Sequence, residues 1–241
     1  MGLLVAGALI AGWVDAVIGG GGLILIPLLL SAGYVPTAAL ATNKLAAVSG
    51  TLSAAIVLIK KLGRPEHLWR YVFLALGCSG CGALLASSLS TDVMRPVVIV
   101  LLVSVGIFLT FRRDFGQATT PVAARPRVAL GLAGVIAFYD GIFGPGTGMF
   151  LIMLFTATLT GDLLQSTVLA KVVNTATNLG ALIVFGMGGH IMWQLGLILA
   201  VANIIGAQLG ARTVLAGGTR FLRYAVLVLV VVMCAKLIIA Q

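Results

Sequence analysis

Four consecutive glycines, Gly19 to Gly22, interrupt an apolar segment near the start of this chain. Each glycine disfavours an α-helix by about 1 kcal/mol relative to alanine, so a helix is not expected to continue through all four. In lipid, the backbone groups freed by such a break need partners in protein or in cavity water. The run therefore predicts a broken helix whose bare backbone lines a protected site.

A second break of the same kind lies about half a chain later, in the stretch 140–149. At a constant offset of 125 positions, Trp13, Asp15, Gly19 and Gly21 fall against Phe138, Asp140, Gly144 and Gly146. Further matches, with a small drift in offset, are Lys44 with Lys171, Gly82 with Gly210 and Arg95 with Arg220. The pattern predicts an internal duplication.

The composition predicts a polytopic helical membrane protein. Only 9% of the 241 residues are charged and 61% are hydrophobic, whereas soluble domains carry roughly 25% charged residues. A transmembrane β-barrel is disfavoured, because the apolar runs are continuous and do not alternate with polar residues. Apolar segments fall at 2–18, 23–34, 45–59, 71–90, 95–111, 128–143, 149–160, 168–186, 191–211 and 221–239.

The polar stretch 112–127 is the one clear linker, and it divides the chain into an N-terminal transmembrane repeat, 1–111, and a C-terminal transmembrane repeat, 128–241. Basic residues are concentrated in this linker and in the loops 60–70 and 212–223. The positive-inside rule places these three loops in the cytoplasm.

With the basic loops in the cytoplasm, each glycine-broken pair must leave and return to the same side, the first opening outside and the second inside. We therefore expect an all-α polytopic membrane protein with two inverted-topology repeats, each a glycine-broken helical hairpin plus three transmembrane helices. Hydropathy alone would fuse each hairpin into one segment and report about eight apparent spans. The pattern leaves open whether the hairpins cross fully or are re-entrant.

The glycine breaks are the first candidates for a substrate site. Glycine lets backbone approach a ligand closely, and free N–H groups at helix N-termini favour an anion. The alternative is close helix packing through small residues. The recurrence in both halves favours a site made of Gly19, Gly20, Gly21, Gly22, Gly144, Gly146, Thr147 and Gly148.

Polar residues after each hairpin extend this candidate site. Thr42, Asn43 and Lys44 lie near the start of one segment, and Lys171 lies in the matching place of the other. Asn174 and Asn178 share a helix face with Lys171. A lysine buried in the membrane is usually functional, whereas one near a helix end reaches the interface. For the asparagines, substrate contact and interhelical hydrogen bonding carry equal weight.

Asp15 and Asp140 each precede the glycines by four residues. Intramembrane acids often carry protons, so both are candidates for coupling transport to a proton or sodium ion. The favoured alternative is a salt bridge to Lys44 or Lys171, or a structural hydrogen bond at the break, because pairing is the cheaper solution for a buried charge.

Other function classes are disfavoured. The net charge of +9 sits mainly in short loops, where membrane topology explains it, so nucleic acid is not an expected partner. Cys78 and Cys81 have redox-motif spacing but lie in an apolar segment without the context of a redox site. Since no catalytic triad or metal cluster emerges, we expect no enzyme activity, no metal and no cofactor.

Three motifs resemble hallmarks of the TauE/SafE sulfite exporter family of bacterial membrane proteins. They are the stretches 12–27, 41–44 and 140–148, and the stretch 206–211 is similar as well. The resemblance covers essentially the whole chain. It implies about eight apparent spans, an inner-membrane location, and export or uptake of sulfite, sulfonates or related sulfur-containing anions.

Together these observations predict a secondary transporter in the bacterial inner membrane that moves a small anionic substrate by alternating access. Two other hypotheses stay open at this point. One is a passive anion channel on the same scaffold, and the other is a membrane sensor or partner protein that transports nothing.

Overall fold

The fold is all-helical in the part of the chain that the computed structural model describes, which is residues 1–111, 124–160 and 162–216, with side chains 106–111 left out. The described helices are α1 (Gly2–Ile18), α2 (Gly22–Ser31), α3 (Pro36–Leu62), α4 (Leu68–Ser88), α5 (Thr91–Phe111), α6 (Pro126–Ile142), α7 (Thr147–Phe155), α8 (Leu163–Met187) and α9 (Trp193–Leu215). A π-helical turn, Thr156–Thr160, extends α7.

Helices of the two halves correspond in order and length. The helices α1 and α6 have 17 residues each, α2 and α7 have 10 and 9, α3 and α8 have 27 and 25, and α4 and α9 have 21 and 23. The predicted last segment, 221–239, and most of the predicted linker 112–127 lie outside the described residues.

Both predicted helix breaks are confirmed. The helix α1 ends at Ile18, where Gly19 adopts a left-handed backbone with φ 80° and its N–H bonds the carbonyl of Asp15 at 2.8 Å. In the second break Gly144 and Gly146 have φ values of 97° and 85°. A left-handed backbone at these positions disfavours any residue with a Cβ, so glycine is the residue the turns require.

The predicted starts of two helices are wrong. The segments expected from 45 and 168 begin at Pro36 and Leu163 instead. Proline is favoured in the first turn of a helix, and the Asp162 carboxylate caps α8 by accepting the Leu164 N–H at 2.8 Å. Hydropathy missed these first turns because polar residues lie inside them.

Glycines at matched positions bring the helices into close contact. A Cβ added to Gly82 of α4 would lie 2.1 Å from the Phe138 carbonyl oxygen of α6. A Cβ added to Gly210 of α9 would lie 2.5 Å from the Trp13 carbonyl oxygen of α1. Small residues allow this approach of helix backbones in membranes. Each hairpin therefore packs on a helix of the other half through an equivalent glycine.

The largest helix contacts are α1 with α9, α4 with α8, α3 with α9, α4 with α6, and α3 with α8. Three chain segments meet at one end of the bundle. Gln165 donates its side-chain N–H to the Leu62 carbonyl at 3.3 Å, and the Arg125 N–H bonds the Thr158 carbonyl at 2.8 Å. The end of α3 and the starts of α6 and α8 therefore lie together.

Four of the described helices are long and apolar enough to cross a membrane: Pro36–Leu62, Leu68–Ser88, Leu163–Met187 and Trp193–Leu215. Large apolar side chains face outward along them, including Phe73 at 69% exposure and Leu197 at 56%. Such an apolar exterior is rare on soluble monomers. The fold is that of a multi-pass helical membrane protein.

Candidate functional site

The two glycine breaks are in direct backbone contact. A Cβ added to Gly19 would lie 2.3 Å from the carbonyl carbon of Gly148, and one added to Gly148 would lie 2.5 Å from the Cα of Gly19. A Cβ added to Gly22, the first residue of α2, would lie 3.4 Å from the Pro145 ring. The sequence places these glycines far apart, and the fold joins the two breaks at one point.

Two buried ion pairs flank this contact. The Lys44 ammonium lies 2.6 Å from the Asp140 carboxylate. The Lys171 ammonium lies 3.5 Å from the Asp15 carboxylate, and it also donates to the Asp15 carbonyl oxygen. Each lysine thus pairs with the aspartate of the other half. The structure shows the ion-pair alternative that the sequence favoured for Asp15 and Asp140.

Both lysines lie deep in the bundle. Lys44 is the ninth residue of α3 and Lys171 is the ninth residue of α8, so each is about 12 Å along its helix axis from the helix start. Their exposed fractions are 1% and 0%. Neither lysine reaches the surface of the bundle.

The charges of the four side chains cancel, so the remaining positive potential comes from the helix N-termini of α2 and α7. The Gly21 N–H donates to the Asp15 carboxylate at 3.3 Å. Within the described residues, the N–H groups of Gly22, Gly148 and Met149 donate to no acceptor. These are the donors that a helix start leaves unsatisfied.

Two polar side chains near these amides also have no partner among the described residues. The Thr147 hydroxyl is fully buried without a hydrogen bond. The Asn43 side chain is only 5% exposed, and its Nδ2 lies 3.6 Å from the Cβ position of Gly22. Buried polar groups are nearly always hydrogen-bonded, so the Thr147 hydroxyl calls for an explanation.

The remaining predicted site residues lie on the same helices but already have partners. The Thr42 hydroxyl accepts the Met192 N–H at 3.3 Å, which ties α3 to the start of α9. On α8, the Asn178 amide donates to the Asn174 carbonyl at 2.8 Å. The bonds described for Asn174 and Asn178 stay within α8, so interhelical bonding of these two finds no support among the described residues.

Sequence reasoning missed one residue of this region. The Tyr139 hydroxyl donates to the Pro145 carbonyl at 2.7 Å, and its ring packs edge-on against Phe143 and Phe150. This bond closes the loop of the second break. In the sequence, Tyr139 is marked only by its position next to Asp140, and nothing else separates it from the apolar residues around it.

The fold and this site define a class: a multi-pass helical membrane protein with a polar centre buried where two broken helices meet. The model of the family described as "Sulfite exporter TauE/SafE" matches residues 4–237. The chain belongs to this family, which confirms the resemblance seen in the sequence.

Curated relatives carry transporter names. The chain is 34% identical to "Probable membrane transporter protein YfcA" of Escherichia coli strain K12, over 99% of this chain and 89% of the relative. It is 33% identical to "Probable membrane transporter protein" of Haemophilus influenzae, over 96% and 92%, and 32% identical to "Probable membrane transporter protein ORF9" of Sinorhizobium sp, over 98% and 91%. No solved structure matches the chain. The family and these names support a membrane transporter.

Proposed function

We propose that this protein is a secondary transporter that moves a small sulfur-containing anion, such as sulfite or an organosulfonate, across the bacterial inner membrane by alternating access. The observation that carries the proposal is a group of unsatisfied donors, the Gly22 N–H and the Asn43 amide, at the contact between the two helix breaks. An anion is the ligand that such donors bind best.

The proposed site comprises the residues expected from the sequence: Gly19, Gly20, Gly21, Gly22, Thr42, Asn43, Lys44, Gly144, Gly146, Thr147, Gly148, Lys171, Asn174 and Asn178. Because both lysines are paired with carboxylates, we assign direct contact with the anion to the amides, Asn43 and Thr147. Each lysine can turn from its carboxylate toward the bound anion, and so exchange one ion pair for another.

Helix directions support two inverted repeats. The helix α1 runs parallel to α9, since Leu9 faces Gly206 and Trp13 faces Gly210. The helix α6 runs parallel to α4, since Gly134 faces Leu74 and Phe138 faces Gly82. The loops 60–70 and 124–127 and the start of α8 lie at one end of the bundle, where the positive-inside rule puts the cytoplasm. The helix α6 runs away from this end, whereas α1, which is parallel to α9, runs toward it.

The ion pairs between the two halves support the proposed alternating access. Each ion pair joins one half of the chain to the other. A movement of one half relative to the other therefore changes the geometry of both pairs and of the contact between Gly19 and Gly148 together. In the proposed cycle, these contacts are broken and remade as the site opens to either side. Asp15 and Asp140 are the proposed acceptors of a coupling proton.

Flux in proteoliposomes tests the proposal. The purified protein should take up ³⁵S-sulfite with a saturable rate, and an imposed proton or sodium gradient should drive accumulation above the external concentration. Saturation without gradient-driven accumulation would indicate a passive channel. No flux at all, from protein shown to be folded, would leave only the sensor or partner hypothesis.

A matched pair of substitutions tests the site. Thr147→Val removes the unsatisfied hydroxyl and keeps the volume of the side chain. Thr51→Val is the control, because Thr51 is equally buried on α3 but its hydroxyl bonds the Ala47 carbonyl of its own helix at 2.7 Å. Thr147→Val should raise the KM for sulfite about tenfold, as expected for a hydrogen bond to a charged group, with little change in the control.

A further inference from the structure

A cavity of about 690 Å³ opens at the predicted cytoplasmic end of the bundle, away from the site described above. Its charged lining comprises Arg64, Arg70 and Arg127 with a single acidic side chain, Glu66. With His67 neutral, the lining carries two net positive charges. A concave surface of one sign with apolar walls concentrates ions of the opposite sign.

Three helices begin at this cavity. The helix α4 starts at Leu68, α6 at Pro126 and α8 at Leu163, and each contributes lining residues from its first turns. The positive ends of the α4 and α6 dipoles therefore add to the charge of the arginines, whereas the Asp162 carboxylate already caps the start of α8. The Arg64 guanidinium also lies over the Trp69 ring, at 5.2 Å from its centroid, which orients it at the rim.

The floor of the cavity separates it from the central site. Tyr71 and Leu169 line the cavity and are 5% and 3% exposed. The Tyr71 ring packs edge-on against Phe155 at 5.3 Å. Lys171, which pairs with Asp15, is only two residues beyond Leu169 on the same helix. Leu169 and Lys171 are about 3 Å apart along the helix axis but lie on different faces of α8, so apolar side chains separate the cavity from that ion pair.

We propose that this cavity is a cytoplasm-facing anion vestibule, which binds the transported oxyanion weakly before it enters the central site. This inference rests on the proposed transport function. The ligand chemistry is a small oxyanion with one or two negative charges, a group that sulfite in solution and a phospholipid headgroup both offer. The vestibule collects substrate by electrostatics and leaves the central site to select it.

The test compares two double variants that each remove two positive charges from the same end of the protein. Arg70→Gln with Arg127→Gln removes charges from the cavity lining. Lys60→Gln with Lys61→Gln is the control, because both lysines are exposed at the end of α3 and do not line the cavity. Uptake of ³⁵S-sulfite is measured in inside-out vesicles, where the cytoplasmic face is outside, and in right-side-out vesicles.

In inside-out vesicles at low salt, the arginine variant should raise KM by about fivefold at unchanged maximal rate. The lysine control should raise it less than about twofold. At about 0.5 M salt the difference should disappear, because screening shortens the range of the field. In right-side-out vesicles neither variant should change KM. Equal KM for wild type and the arginine variant in inside-out vesicles, or equal shifts in both variants, would overturn the vestibule.

A second arm separates the two sources of oxyanion. Wild type and the arginine variant are compared in proteoliposomes of phosphatidylcholine alone and with added phosphatidylglycerol. A KM difference present in both membranes supports a vestibule for the solute. A difference seen only with phosphatidylglycerol would mean that a lipid headgroup fills the cavity, and would overturn the proposal. Wild-type protein without flux removes the transport function and the vestibule together, whereas flux with unchanged KM removes only the vestibule.

Discussion

Replacing Lys44 by methionine tests how much the buried ion pairs hold the two halves together. Methionine keeps most of the length and flexibility of lysine but carries no charge. The substitution leaves the Asp140 carboxylate, which is 2% exposed in the structure, without its partner at 2.6 Å. Lys61→Met is the matched control, because Lys61 lies on the same helix but is exposed.

The magnitude follows from the pair distance. At 2.6 Å and an effective dielectric constant of about 20, Coulomb's law gives an attraction of about 6 kcal/mol. Desolvation of both charges offsets part of this, and removing one partner of a buried pair costs about 3–5 kcal/mol. For a chain of this size that corresponds to a melting temperature lower by about 6–20 °C. The Lys61→Met control should stay within about 2 °C of wild type.

The assay is thermal unfolding in detergent, followed by tryptophan fluorescence. The double variant Lys44→Met with Asp140→Asn discriminates between charge and packing. It removes both charges, so it should recover most of the lost stability and unfold within about 5 °C of wild type. If the double variant is as unstable as Lys44→Met alone, the loss comes from packing and the reasoning is wrong. If the double variant is stable, its affinity for sulfite also reports whether Lys44 contacts the anion.

Two further predictions concern the contact between the breaks. Gly19→Ala and Gly148→Ala should each abolish folding or transport, because the added Cβ would meet backbone at 2.3 and 2.5 Å. Gly77→Ala on α4, where an added Cβ meets nothing within 4 Å, should be neutral or stabilising. Normal transport by Gly19→Ala or Gly148→Ala in the same flux assay would refute the close contact. Tyr139→Phe should lower the free energy of unfolding by about 1 kcal/mol through loss of the bond to the Pro145 carbonyl, and an unchanged melting temperature would show that this bond does not stabilise the loop.

The breaks in the fold could be predicted because glycine acts locally. Four consecutive glycines in the first break, and four spaced glycines in the second, disfavour a continuous helix whatever surrounds them. The pairing of the aspartates with lysines was also predictable, since a buried charge needs a partner. The sequence could not predict which lysine pairs with which aspartate. That pairing depends on how the hairpins pack across the bundle, and no local sequence pattern determines the packing.

The starts of α3 and α8 were missed for a physical reason. Hydropathy measures transfer into lipid, but the first turns of these helices face protein. Thr42 and Lys44 are buried inside the bundle, where the Met192 N–H and the Asp140 carboxylate compensate their polarity. A hydropathy scale therefore assigns the polar start of such a helix to a loop. Pro36 and Asp162 are nevertheless residues that favour the start of a helix.

The two ion pairs differ in a way that makes Asp15 the better candidate for the coupling acid. Asp140 is 2% exposed at 2.6 Å from its lysine, whereas Asp15 is 15% exposed at 3.5 Å. At an effective dielectric constant of about 20, lengthening the distance from 2.6 to 3.5 Å weakens the attraction from about 6 to about 5 kcal/mol. Water therefore reaches Asp15 more easily, and its pair is the easier one to open.

A proton on Asp15 would leave the Lys171 charge without compensation, and an anion would restore neutrality. This predicts uptake of one proton with each monovalent anion. Methanesulfonate is a suitable probe because it stays singly charged across the pH range, so its own titration cannot mimic coupling. An inward proton gradient should drive its accumulation by wild-type protein, and Asp15→Asn should keep saturable exchange but lose that accumulation. Asp140→Asn should mainly lower the melting temperature, because it breaks the fully buried pair. If proton-driven accumulation survives in Asp15→Asn and disappears in a folded Asp140→Asn, the more buried carboxylate carries the proton and exposure does not decide the coupling site.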